Sequence, residues 1–196
     1  MKYFETEIKG VWIIEPQRFG DPRGYFMEAF KLTEFRAATG TATEFIQDNE
    51  SVSSRGVLRG LHFQRGEYAQ AKLVRVSRGK VLDVAVDLRP DSETFGRHIA
   101  VELSDENARQ LFIPRGFAHG FAVLSDRATV QYKCDAFYAP ESEGGIAWDD
   151  PELAIDWHVD GDRVALSPKD ARHPRLSEAD ELFDYNTDYY GEYNER

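Results

Sequence analysis

Short runs rich in β-branched and aromatic residues recur along the chain. They span Val11 to Glu15, Lys72 to Ser77, Val81 to Leu88, His98 to Leu103, Gln110 to Ile113, Gly120 to Leu124 and Thr129 to Cys134, most of them set apart by Gly, Pro, Asp or Ser. Between Val81 and Leu88 the apolar set Leu82, Val84, Val86 and Leu88 alternates with Asp83 and Asp87, which predicts a half-buried strand with a polar second face. Helical spacing is confined to two places. Leu32 and Phe35 lie three apart within Lys31 to Ala38, and Ser177 is placed to cap a final turn running to Phe183. Parallel strands would need crossover segments that this pattern lacks, so it predicts an all-β fold of two packed antiparallel sheets, a jelly roll or similar sandwich, with a few short peripheral helices. No repeat, low-complexity tract or linker interrupts it, so residues 1–196 read as one domain, with an acidic, Tyr-rich tail from about residue 184.

Composition narrows the partners. Hydrophobic residues make up 41% of 196, enough for a core and too many for a largely disordered chain. Lys and Arg number 24 against 35 Asp and Glu, a net charge of −11, which argues against nucleic acid bound through a cationic face. Cys134 stands alone and forms no intrachain disulfide. No run reaches the roughly 18 apolar residues of a membrane span, and Met1 to Glu7 lacks a signal-like apolar stretch. A cytoplasmic protein without a membrane partner is expected.

Two clusters suggest chemistry. In Arg59-Gly60-Leu61-His62-Phe63-Gln64 the imidazole shares a side of the pleat with Gly60 and Gln64, and lines a cavity if that side faces the interior. Pro114-Arg115-Gly116-Phe117-Ala118-His119-Gly120-Phe121 brings a second His near the start of another run. Two His residues invite a metal reading, but Gln64 occupies the position where a His-x-His pair would be completed, and an amide oxygen is a poor ligand for zinc or ferrous iron. His98, His158 and His173 stand beside no other candidate ligand at such spacing. The alternative is metal-free proton transfer, for which His suits because its ordinary pKa of about 6.5 lies near neutral pH. A carboxylate such as Asp170, in Ser167-Pro168-Lys169-Asp170, would fix the tautomer of His62, although spacing does not select it among the acids. Lys72 opens a strand and could hold an oxyanion, or could equally be a solvated strand end.

Read in order, these segments resemble the dTDP-4-dehydrorhamnose 3,5-epimerase family. The resemblance rests on Phe19-Gly20-Asp21-Pro22-Arg23-Gly24-Tyr25-Phe26-Met27-Glu28, Gln47-Asp48-Asn49-Glu50-Ser51, the His62 and His119 segments, Lys72-Leu73-Val74-Arg75-Val76, Tyr132, Glu143 and Ser167-Pro168-Lys169-Asp170, and extends from about residue 3 to 185. It implies a cupin-like jelly roll, a homodimer, no metal or organic cofactor, and inversion at C3 and C5 of dTDP-4-dehydro-6-deoxy-D-glucose. By the same resemblance His62 is the base, Asp170 its orienting carboxylate, Lys72 the donor to the developing C4 oxyanion and Tyr132 the acid across the ring. A diphosphate needs local cations despite the net charge, and Arg23, Arg59 and Lys169 are the candidates. Gln47, Asn49, Glu28, His119 and Glu143 match family positions that contact nucleotide or sugar, while Phe19, Phe26 and Tyr138 are placed to stack on thymine. The segment holding Arg23, Phe26 and Glu28 is expected to reach the partner subunit's site.

Overall fold

A computed structural model describes residues 1–190. Its first strands are β1 (Lys2–Glu5), β2 (Trp12–Glu15), β3 (Arg18–Asp21), β4 (Gly24–Met27), β5 (Gln47–Ser54), β6 (Leu58–Gln64) and β7 (Lys72–Arg78). Then follow β8 (Lys80–Asp87), β9 (His98–Ser104), β10 (Gln110–Ile113), β11 (Phe117–Val123), β12 (Arg127–Cys134) and β13 (Glu143–Gly145). The larger sheet has the order β1-β2-β10-β7-β12-β5, the smaller β13-β6-β11-β8-β9, and β3 and β4 form a separate hairpin. Strand neighbours within each sheet run antiparallel, as the pattern predicts. All seven strand runs read from the sequence are strands here, within a few residues at their ends.

The sheets close on a core in which Val74, Val76, Leu111, Ile113 and Val130 of the larger meet Val81, Ala85, Val101, Phe117 and Val123 of the smaller. One expectation is corrected here. β8 is not half-buried: its Asp83 and Asp87 are fully buried, and Leu82, Val84, Val86 and Leu88 belong to a second apolar layer on the other face of the smaller sheet. That layer is covered by Ile146, Leu153, Trp157, Leu176 and Phe183 from the C-terminal segment. Each large apolar side chain so covered contributes about 1.5–3 kcal/mol relative to exposure, and together they dock the otherwise irregular C-terminal segment on this sheet. Asp87 is accommodated by hydrogen bonds from Arg89, Ser92 and Thr94, at 2.7–3.0 Å. Asp83 faces the site.

Helix α1 (Leu32–Thr39) forms where predicted and buries Phe35 among Phe30, Phe45 and Phe112 on the outside of the larger sheet. It ends at Gly40, whose φ of 68° is left-handed and whose N–H donates to the Arg36 carbonyl at 2.9 Å. The expected turn from Ser177 to Phe183 is reduced to a 3-10 turn at Leu176–Glu178 in which Ser177 caps nothing; Arg175 precedes it instead. The tail packs as far as Tyr190: Arg115, paired with buried Asp135 at 2.9 Å, stacks on the Tyr190 ring and donates to the Tyr189 carbonyl. Tyr193 lies outside the described residues. Among the described residues no helix is long and apolar enough to cross a membrane.

Candidate active site

Inward positions change character along the larger sheet. Val74, Val76 and Val130 fill the core, but at the other end of the same strands the inward series continues as Lys72 on β7 and Tyr132 on β12, joined by Gln47 and Asn49 on β5. Register sets Tyr132 beside Asn49 and Val74, and Lys72 beside Cys134. On the smaller sheet His62 of β6 is paired with His119 of β11 on one side and Gly145 of β13 on the other. Between these walls lies a cavity of about 320 Å³, lined by Gln47, Asn49, His62, Phe63, Gln64, Gln70, Lys72, Tyr132, Tyr138 and Glu143. Such a volume is at the lower end for small-molecule sites.

Each polar group has a defined support. His62 Nε2 lies 2.5 Å from Asp170 Oδ1; the imidazole is 29% exposed and the carboxylate 5%. Burial opposes ionisation of Asp170, yet the imidazoles of His173 and His62 and the Ser167 hydroxyl hold its carboxyl well below the usual range. It is therefore an anion at neutral pH, so Nε2 of His62 is the nitrogen that donates to it, and in the neutral imidazole the lone pair is on Nδ1. His119, buried, meets Asp83 Oδ1 at 2.8 Å, and burial pushes its pKa down. Burial also pushes the Lys72 amine below its ordinary 10.5 and the Tyr132 phenol above its ordinary 10.0. Tyr132 thus keeps its proton at neutral pH. Glu143 accepts hydrogen bonds from Tyr138 at 2.6 Å and from Lys169; burial works against its ionisation, but these donors hold its carboxyl below the usual value.

Gln64, read from the sequence only as a missing metal ligand, has a structural task. Its amide donates to the Tyr68 and Phe137 carbonyls at 2.7 and 3.1 Å and accepts from the Ala139 N–H at 2.7 Å, so it anchors the loop that carries Tyr138. Tyr138 is fixed a second time by its N–H, which donates to Gln47 at 3.2 Å.

The structure thus gathers His62, Lys72, Tyr132, Asp170, Gln47, Asn49, Tyr138, Glu143, His119 and Lys169 in and around one cavity. Arg59 stands near Tyr132 and donates to Ser53 at 3.1 Å. Phe19, Arg23, Phe26 and Glu28 do not line the cavity. They sit on or beside the β3–β4 hairpin, where Phe26 is 70% exposed and the Arg23 side chain, paired with Asp21, 90% exposed. One expectation fails: His173 is not isolated, because the turn after Asp170 folds its ring against His62 and Asp170. Asp83 and Gln70 were also not singled out. Asp83 could be suspected only from being an acid within an apolar strand, and Gln70 gave no signal. A second hollow of about 270 Å³, which shares Asn49 and Tyr132 with the cavity, is lined also by Asp48, Glu50, Arg75, Gln131 and Lys133 and lacks any His.

The family model for dTDP-4-dehydrorhamnose 3,5-epimerase matches residues 5–178. The chain belongs to this family. It is 54% identical over 178 residues to the dTDP-4-dehydrorhamnose 3,5-epimerase of Escherichia coli (strain K12), covering 91% of this chain and 96% of that one. The enzyme of the same name from Methanothermobacter thermautotrophicus is 53% identical over 178 residues, covering 90% and 95%. Among solved structures, the 3,5-epimerase of Legionella pneumophila Philadelphia 1 in complex with dTDP-4-keto-L-rhamnose superposes with a TM-score of 0.91 at 48% identity, covering 95% of this chain and 99% of that one. The cupin-like jelly roll and the epimerase class expected from the motifs therefore hold.

Proposed function

We propose that this epimerase inverts C3 and C5 of dTDP-4-dehydro-6-deoxy-D-glucose to give dTDP-4-dehydro-L-rhamnose, through a C4 enolate and with side chains as the only proton carriers. The observation that carries the reading is the opposition of groups across the cavity: the Asp170-held imidazole of His62 on the smaller sheet, Lys72 and protonated Tyr132 on the larger. The C4 ketone acidifies the hydrogens on both neighbouring carbons. His62 Nδ1 removes one, and the charge that develops on the C4 oxygen is met by the Lys72 ammonium. Tyr132 then returns a proton from the opposite face, and inversion follows because removal and return come from different walls. The negative charge of Asp170 stabilises the imidazolium formed in the first step.

The nucleotide lies over the cavity mouth in this reading, with Tyr138 stacked on thymine and Arg59 and Lys169 near the diphosphate; Gln47, Asn49, Glu143 and His119 contact the ligand. The protein is a cytoplasmic homodimer, and the β3–β4 hairpin of a second copy supplies Phe19, Arg23, Phe26 and Glu28. Exposed aromatic rings at Phe19, Tyr25 and Phe26 support an occupied hairpin face. Specific activity should then fall on dilution through the dimer dissociation constant; activity that stays constant there would remove the hairpin from the site.

Incubation of the purified chain with dTDP-4-dehydro-6-deoxy-D-glucose in D2O, followed by NMR, tests the reaction. Deuterium at both carbons of an inverted product is expected. Exchange at one carbon alone would reduce the activity to a single epimerisation, and binding without exchange would exclude catalysis on this sugar.

A further inference from the structure

The Asp170 cluster holds one imidazole more than proton transfer requires. His173 Nε2 lies 3.6 Å from Asp170 Oδ1, the same oxygen that His62 Nε2 meets at 2.5 Å. At 3.6 Å the separation is too long for a good hydrogen bond, and this nitrogen, on a side chain only 10% exposed, has no hydrogen-bond partner among the described residues. Leaving a buried polar atom unpaired costs about 1–3 kcal/mol, so its position asks for a reason. Packing maintains it: a β-carbon at Gly145 would collide with the His173 ring, and the next residue, Pro174, accepts a backbone hydrogen bond from Ala147 at 2.7 Å. The His62 and His173 rings meet edge to face with centroids 5.5 Å apart.

Nitrogen, nitrogen and carboxylate oxygen here all lie within 4.8 Å of one another. Two imidazoles and one carboxylate with an open fourth position is a donor set suited to zinc and its neighbours among divalent transition metals. At metal–ligand distances of about 2.0–2.2 Å, tetrahedral ligands stand roughly 3.3 Å apart. The His173–Asp170 separation of 3.6 Å is already close to that, and the His62–Asp170 separation of 2.5 Å must open by under about 1 Å. His62 lines the cavity, which offers a path in and a water for the fourth position.

We propose that His62, Asp170 and His173 form an inhibitory site for a divalent transition-metal ion of the zinc class. The inhibitory half rests on His62 being the base. A metal on Nε2 takes the lone pair of that nitrogen, so the single proton of the neutral ring moves to Nδ1. Nδ1 then donates and no longer accepts, and proton abstraction stops. The hydrogen bond between Nε2 and Asp170 is replaced by metal bonds to His62 Nε2, Asp170 Oδ1 and the His173 nitrogen, and no net proton is lost. Mg²⁺, which prefers oxygen ligands, does not compete.

The test is calorimetric titration of the chelator-treated full chain with ZnCl2, and with MgCl2 as control, alongside deuterium wash-in at the same free zinc. One zinc per chain is expected, with the exchange rate falling along the binding isotherm and recovering on adding chelator. His173→Phe keeps a ring over Gly145, so its zinc binding should weaken at least about tenfold by calorimetry, and inhibition, read against the variant's own zinc-free exchange rate, should move with it. His173→Ala, checked by thermal melting, should behave alike. Absence of zinc binding, equal affinity in both variants, or zinc bound with full exchange would each overturn the proposal. The isotherm does not depend on turnover: zinc bound through His173 in a chain that never exchanges deuterium would sink the epimerase reading and leave the metal site standing.

Discussion

Asp170→Asn keeps the shape of the side chain and removes the charge facing His62. With Oδ1 2.5 Å from Nε2 and the carboxylate 5% exposed, little water screens the pair. His62 becomes a cation as it takes the sugar's proton, and a hydrogen bond between ionised partners contributes about 1.5–3 kcal/mol. At 1.36 kcal/mol per factor of ten, its loss slows abstraction by roughly 10- to 150-fold. A further loss arises if the Asn amide presents its N–H to Nε2, because the ring proton is then forced onto Nδ1; a change of this kind beside the histidine of a Ser-His-Asp triad costs about 10⁴. The expected fall in kcat is thus at least about tenfold and as much as about 10⁴, according to how the amide turns. Affinity for dTDP should stay within about threefold, since Asp170 does not line the cavity. Single-turnover deuterium wash-in gives the first quantity and calorimetry with dTDP the second. An Asp170→Asn chain that exchanges at within threefold of the unaltered rate would refute the dyad.

Lys72→Met should lower kcat about 10²- to 10³-fold near neutral pH with little change in dTDP affinity. Burial lowers the Lys72 pKa and raises that of Tyr132, so as pH rises the ammonium is lost first: the alkaline limb of kcat should fall below pH 10.5 and vanish in Lys72→Met, and a limb kept by that variant would assign it elsewhere. Tyr132→Phe should cut inversion more than initial proton loss; equal losses in both would leave Tyr132 as a positioning group only. Arg115→Met strands buried Asp135 and should cost about 3–5 kcal/mol in urea unfolding at pH 7. Because burial already holds the Asp135 carboxyl above its ordinary value, that penalty should shrink as pH falls and the carboxyl protonates, and a penalty independent of pH would contradict the assignment.

Strands whose outer face meets water or a single core were legible, because their alternation reports one buried side. β5, with sequence QDNESVSS, was not, since its inward positions line a polar cavity and its outward ones face solvent. β8 was legible as a strand and misread in its faces: alternation shows that two sides differ, not which is wet, and here the acidic side lies between the sheets while the C-terminal segment covers the aliphatic one. Most of the candidate site followed from motifs in order. His173 did not, because one of its partners, His62, comes from β6 some 110 residues earlier in the chain, and only the turn after Asp170 brings the two rings together.

The most direct test of the account is deuterium wash-in by His62→Ala with the same keto sugar, with dTDP binding measured on the same sample. The account requires that binding persist while exchange at C3 and at C5 is lost together. Exchange continuing at either carbon at a substantial fraction of the unaltered rate would mean that another group removes that proton, and His62 would no longer be the base for both centres.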